Sequence, residues 1–456
     1  MTGAALHDSR CPLKSGLIDW ILRRSVLFYS NIVRRIGAAL LVASISAAAV
    51  ISQSSPASAE SLAPTNPDKA GFFPKRLARI TAYFNNEVAT GKIPGAIVLI
   101  QRHGQPAYYE AFGVRNTATK APMTPDTIFT LFSMTKPITS VAALMLVEQG
   151  KLALDDEVGQ YVKGFYNIKV GAEKPGPDGK SELELVAPHR PIQIHDLLRQ
   201  SAGIPYASLA YGVVKKPYED ADLMSGKFTN AEVADKIAAL PLISQPGEYW
   251  TYGHATDVLG RVIEVVSGKS LYEFEKENLL GPLGMTNTSF FVTDPSKQAL
   301  LADSFPTKHD KLDRDPRVET KWESGGGGMV ASMADYARFV QMLLNGGELN
   351  GTRILARKTV DLMTSNHIGE GTGIKPWVYY FPGAGFGFGL GVAVRTDAGV
   401  SHWAGSVGEY EWSGGSGTYF LADPKENMFA ILMIQSPSQR GRIQSAFRSL
   451  VYGAMK

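Results

Sequence analysis

Residues 133–148 read SMTKPITSVAALMLVE, and the fold is decided here. Ser133 is the only serine in the chain with a lysine three places on, Lys136. Behind them Val141–Val147 is wholly apolar, which predicts a helix over 133–148 buried on most sides. Pro137 falls in the first turn, where its missing N–H costs little. At a helix start, positions i and i+3 share a face, so the Lys136 amine can approach the Ser133 hydroxyl. A serine hydroxyl is a poor nucleophile until a base takes its proton. Lysine can be that base if its pKa falls, and burial beside other donors or cations lowers it. The helix N-terminus favours negative charge developing on Ser133. The plainer reading is an N-cap serine with a surface lysine; the buried helix behind the pair argues for an enclosed lysine.

Outward from this helix, Lys75–Ala89 reads as a helix with Leu77, Ile80, Tyr83 and Phe84 on one face. Gly95–Arg102 and Ala107–Val114 read as strands joined at His103-Gly104. The polar stretch 165–190, with Pro-Gly-Pro-Asp-Gly, predicts a surface hairpin. Thr229 with Glu232 and Ser270 with Glu273 have capping-box spacing. Gly325–Gly328 reads as a flexible loop, and Ser332 opens a helix that ends at Gly346-Gly347. Strands follow at Phe386–Arg395, Thr418–Ala422 and Met428–Gln435, the last two joined by Asp423–Asn427, before a helix over about Arg440–Tyr452. This order predicts an α+β fold: an antiparallel sheet from both ends of the chain, flanked by helices, with a mainly helical insertion. The boundaries expected are 76–130 with 321–456 for the α/β part, 131–320 for the helical part, and 60–75 as a flexible lead-in. No internal repeat is visible.

The 456 residues carry 46 Lys+Arg against 43 Asp+Glu, net +3, with one cysteine and 44% hydrophobic residues. That is ordinary globular composition. The charge argues against a dedicated nucleic-acid binder. One cysteine excludes a disulfide scaffold and a cysteine zinc site. The basic excess sits in residues 1–59, which hold six basic residues, two acids and Cys11; the remainder has 40 basic and 41 acidic side chains. There, Arg34-Arg35 precede an apolar run, Ile36–Ile51, and then Ala57-Ser58-Ala59. These are the parts of a secretory signal peptide, with an uncleaved anchor as the alternative. The run is shorter than the ~20 residues a spanning helix needs. The expected mature form is Glu60–Lys456, exported (periplasmic or secreted), without cysteine and touching a membrane only through an uncleaved leader.

No G-x-S-x-G occurs, so the nucleophile elbow of α/β-hydrolases is absent, and no H-E-x-x-H occurs among the eight scattered histidines. What does occur, in order, is Ser133-x-x-Lys136, Tyr252-Gly253-His254 and Trp412-Ser413-Gly414-Gly415. This set resembles the serine β-lactamase and penicillin-binding-protein superfamily, its class C-like branch, and within that the family VIII carboxylesterases. The likeness extends over about residues 75–455 through stretches such as IHDLLRQSAGIPY (194–206) and YGHATDVLGRVIEVVSG (252–268).

The resemblance implies roles. Ser133 matches the acylated nucleophile, Lys136 the residue that accepts or relays its proton, and Tyr252 the phenol that acts as base or proton shuttle. Gly415 matches the strand residue whose N–H joins that of Ser133 in the oxyanion hole. Two departures stand out. His254 holds the place of the Asn in Tyr-x-Asn, as a candidate substrate-binding group with a pH-dependent charge, with a satisfied structural histidine as the alternative. Trp412-Ser413-Gly414 replaces Lys-Thr-Gly, so an apolar wall with one N–H donor stands where a cation would face a substrate carboxylate. A small-molecule ester is therefore the expected substrate, with no metal or organic cofactor implied. The alternatives are a β-lactamase, a D-amino-acid peptidase or amidase on cell-wall-type substrates, or a non-hydrolytic ligand-binding relative. Trp377–Phe381 is expected as a substrate-facing wall, and His402 is given no role. Acyl-chain length and oligomeric state are not legible.

Overall fold

In the computed structural model, residues 62–177 and 179–456 are described; the leader, with its arginine pair and Ala57-Ser58-Ala59, lies outside them. Helix α1 (Pro74–Ala89) opens on proline and buries Leu77, Ile80 and Phe84. Strands β1 (Gly95–Arg102) and β2 (Gln105–Gly113) form the expected hairpin. Its turn uses His103 and Gly104, both at positive φ, which matches the twist of the flanking strands. The 60–75 segment, expected to be flexible, is held from Thr65 onward. Thr65 N–H donates to Pro106 O, Phe73 N–H donates to Ala454 O, and Phe72 is fully buried.

The main sheet has seven strands in the order β2-β1-β7-β6-β5-β4-β3, with β3 Phe386–Phe388, β4 Ala393–Arg395, β5 Tyr410–Ser413, β6 Tyr419–Asp423 and β7 Met428–Ile434. Every neighbouring pair is antiparallel. β1 and β7 are buried on both faces because successive side chains alternate. Ala96, Val98, Ile100, Ala430 and Leu432 meet α1 and the C-terminal helix; Ile97, Leu99, Ile431 and Met433 meet the large helical core. The stretch 386–395 is two strands rather than the single one expected. It reverses at Gly389–Gly391, and Gly391 has φ 99° where a Cβ would stand 2.3 Å from Ser140 Oγ.

Between the two sheet-forming ends run helices α2 (Thr135–Glu148), α3 (Ala255–Ser267) and α4 (Met333–Leu344); α5 (Arg440–Gly453) closes the chain. Both expected capping boxes form, and Ser332 caps α4. The surface hairpin pairs Val170–Pro175 with Ser181–Val186. Ile128–Thr130 pairs with Val330–Ser332, a ladder the sequence did not announce, and it sets the glycine run 325–328 beside Ser133. Residues 61–456 pack as one compact unit. Among the described residues no helix is long and apolar enough to cross a membrane.

Candidate active site

Ser133 lies in a 3-10 turn, Phe132–Met134, that leads into α2. Phe132 has φ 48°, a left-handed conformation costly for a bulky residue. Such strain persists only where the surroundings over-determine it, and here they do. Leu131 N–H donates to Met329 O at 2.9 Å. Leu131 O accepts from Thr418 Oγ1 at 3.1 Å, and Thr130 O accepts from Ser416 Oγ at 3.0 Å and Gln435 Nε2 at 3.1 Å. Met134 O accepts from Tyr336 OH at 2.9 Å.

The same hydroxyls tie 414–418 to the nucleophile turn. Gly414 must be glycine, since a Cβ would meet Leu131 O at 2.1 Å. β5 stops at Ser413, which is half-buried and pairs with Tyr419, so Gly415 lies in the turn beyond the strand. A Cβ on Gly415 would have Phe132, at 3.7 Å, and Arg440, at 3.9 Å, as its nearest neighbours. Among the described residues, neither the Ser133 nor the Gly415 backbone N–H has a protein acceptor. Arg440, at the start of α5, is exposed, and its guanidinium forms no ion pair or hydrogen bond among the described residues.

Lys136 is fully buried, as the helix predicted. Its Nζ donates to Ser133 Oγ at 3.3 Å, Tyr206 OH at 2.9 Å and Gly326 O at 2.6 Å. Three acceptors match three ammonium protons. Nζ also stands 4.6 Å from the Tyr252 ring centre and 5.3 Å from that of Tyr206. The expected fall in its pKa is not found. Burial pushes it down, but Tyr206, Tyr252 and Asp257 outweigh burial and hold the ammonium above the ordinary lysine range. The neighbours are acceptors and an anion, not the cations that would expel a proton. Burial in turn raises the Tyr206 phenol, with Lys136 opposing.

Tyr252 thus meets the lysine through its ring face. It packs edge-on against Trp412 at 5.5 Å and Phe381 at 5.3 Å, and stacks on Trp250. Trp412 also meets Phe388 at 5.2 Å; it is buried, and its indole N–H has no acceptor. A shallow cleft of about 20 Å³ opens here between Pro205, Leu209, Trp250, Tyr252, Trp377 and Tyr379. From the stretch 377–381, Trp377 and Tyr379 line this cleft together with Tyr252.

His254 is corrected by the structure. It is buried, not exposed to substrate: its Nδ1 lies 2.9 Å from Asp257 Oδ2 and its ring packs edge-on against Tyr206 at 4.5 Å. The imidazole backs the lysine's surroundings and does not line the cleft.

The sequence matches the Beta-lactamase family over residues 80–452. The chain belongs to the β-lactamase family. Protein Rv1367c of Mycobacterium tuberculosis H37Rv is 33% identical over 360 residues, 76% of this chain and 86% of that protein. Esterase EstB of Burkholderia gladioli is 28% identical over 82% of this chain and 95% of its own. Among solved structures, EstCE1, a hydrolase with promiscuous acyltransferase activity, superposes with TM-score 0.69 at 29% identity, covering 83% of this chain and 99% of its own. These esterases agree with the likeness to family VIII carboxylesterases. This β-lactamase-family site also holds three groups that sequence reading passed over: Tyr206, Asp257 and Gly326. Asp257 had a signal, standing three places after His254 in the first turn of α3. Tyr206 ends a stretch already quoted for the family likeness, and the glycine run had been read only as a loop.

Proposed function

We propose that this chain is an exported carboxylesterase that cleaves short-chain, neutral esters through an acyl-enzyme on Ser133. The observation that carries the reading is Ser133 Oγ at 3.3 Å from a buried Lys136, with the Trp412 indole packed against Tyr252 at the motif position where a cation would serve a substrate carboxylate. The leader of residues 1–59 supports export. In the reactive form, the Lys136–Tyr206–Tyr252 group has first lost a proton to solvent; it then takes the Ser133 proton as Oγ attacks the ester carbonyl. The N–H groups of Ser133 and Gly415 receive the oxyanion, and such a donor is worth about 3–4 kcal/mol. The alcohol leaves with the relayed proton, and water then hydrolyses the acyl-enzyme. Because the lysine is held charged at rest, activity should rise with pH as the group deprotonates.

Hydrolysis of p-nitrophenyl butyrate tests this. Ser133→Ala should lose at least about 10³-fold in kcat; retained turnover in that variant overturns the mechanism. One observation favours a second reading, in which the substrate carries a carboxylate: the unpaired Arg440 beside Gly415. Nitrocefin turnover well above ester turnover, and lost in Arg440→Ala, would select it.

A further inference from the structure

The departure from Tyr-x-Asn at His254 is answered three residues later. Asp257 is almost wholly buried in the first turn of α3, and among the described residues no lysine or arginine forms an ion pair with it. Its carboxylate instead takes three donors: His254 Nδ1 at 2.9 Å, Ser324 Oγ at 2.6 Å and Gly326 N–H at 3.0 Å. A carboxylate so bonded stays ionised despite burial, and Asp257 is held below the usual carboxylate range: burial raises it, but the His254 and Ser324 bonds and the Lys136 charge prevail.

Gly326 has a second partner. Its carbonyl accepts the closest of the three Lys136 bonds, 2.6 Å. The carboxylate backs directly against its Cα, so a Cβ would stand 2.8 Å from Asp257 Oδ2. On the other side, Thr139 Oγ1, one turn beyond Lys136 on α2, donates to Gly325 O at 2.9 Å. The loop 324–326 is thus clamped between Asp257 and the helix that carries the lysine. We infer that Asp257, supported by His254, is the positioning residue for Lys136. It fixes the Gly326 carbonyl that aims Nζ at Ser133 and supplies the buried negative charge that keeps the ammonium in place. This rests on the acyl-enzyme reading for its kinetic consequence but not for its geometry.

The charged and titratable groups that face Nζ are Tyr206 from the loop before α3, Tyr252 just ahead of α3, and Asp257 from α3 itself; Asp257 faces His254 and Lys136. Asp257→Asn keeps the shape and removes the charge. The test is the titration of Lys136, followed by the 13Cε resonance of 13C-lysine-labelled protein and assigned by its loss in Lys136→Met. It should move to lower pH by about one unit or more in Asp257→Asn. With p-nitrophenyl butyrate, kcat should fall about 100-fold, KM should stay within about threefold, and the rising limb of the pH–rate profile should move to lower pH in step. A merely structural role would leave the titration and the limb where they were, and that result overturns the proposal. Should Asp257→Asn not fold, Ser324→Ala removes one donor to the carboxylate. An unchanged kcat and Lys136 titration in that variant overturns the proposal equally; a fivefold or greater loss of kcat with KM held supports it. If the wild type cleaves no ester, the esterase reading fails, while the titration still decides the role of Asp257.

Discussion

Lys136 carries a charge into surroundings that burial alone would empty of one, and it does so because each ammonium proton has an oxygen to meet. Tyr206 supplies one of those oxygens without being part of any of the three motifs. Tyr206→Phe keeps the ring against His254 and Tyr252 but deletes the acceptor. A buried donor left unpaired costs about 1–3 kcal/mol, more when charged. We expect kcat on a p-nitrophenyl ester to fall about 10- to 100-fold with KM nearly unchanged; equal kcat values would remove Tyr206 from the proton path. Ser133 and Lys136 were legible because one helical turn juxtaposes them. Tyr206 and Gly326 were not, because loops 70 and more residues downstream bring them in and no period relates them to Lys136; Asp257 showed only its spacing from His254. Of its two readings, His254 fits the structural one: its motif position says nothing about which way the ring turns, and Asp257 turns it inward.

Elements with local signals came out where the sequence put them: the capped helices at Thr229 and Ser270, the buried α2, and the hairpins at His103 and Asn427. The 386–395 segment failed because its alternation continues through two glycines that let the chain reverse. The short helix Leu271–Glu275 hides another feature no pattern could show. Glu275 ends it fully buried, and neither carboxylate oxygen has a hydrogen-bond partner. Burial, aided by Glu323 and opposed by Thr139, raises its pKa well above the usual carboxylate range. The folded chain keeps a proton here that the unfolded chain gives up above about pH 4.3. Stability therefore falls as pH rises from that point, until the folded group itself ionises. Glu275→Gln has no such proton to lose. Thermal melts should show the variant gaining several degrees over the wild type at pH 7 and little or nothing at pH 4. A difference independent of pH would mean that Glu275 is ionised in the fold.

At the scale of the whole molecule, the sheet holds the active-site wall on one face and an ionic network on the other. Alternation along β5 sends Tyr410 and Trp412 into the large core, while Glu411 turns with the preceding Glu409 to meet α5. Arg448 of α5 reaches Glu409 at 2.6 Å and Tyr419 OH at 2.6 Å, and also bonds Glu411. Arg395 of β4 donates to Trp403 O and Ala404 O, and Tyr452 OH lies 2.8 Å from Glu409 and 2.9 Å from Asp423. That both ends of the chain build one sheet was readable from strand order. The network was not, since the partners of Arg448 and Tyr452 stand 29 to 44 residues away and nothing in their spacing pairs them. Its energetics follow from burial. Arg448→Met leaves Glu411 desolvated without its cation and leaves Glu409 with Arg395 alone, 3.6 Å away, which should cost about 3–5 kcal/mol in urea unfolding. Replacing Glu411 as well removes the stranded charge and keeps Glu409 for Arg395, so the double variant Glu411→Gln, Arg448→Met should regain much of that loss. A single variant within about 0.5 kcal/mol of wild type would show the network to be dispensable. A double variant no better than the single would show that the Arg448 packing against Trp403 and Phe386, and not its charge, holds β5 and its Trp412 face in place.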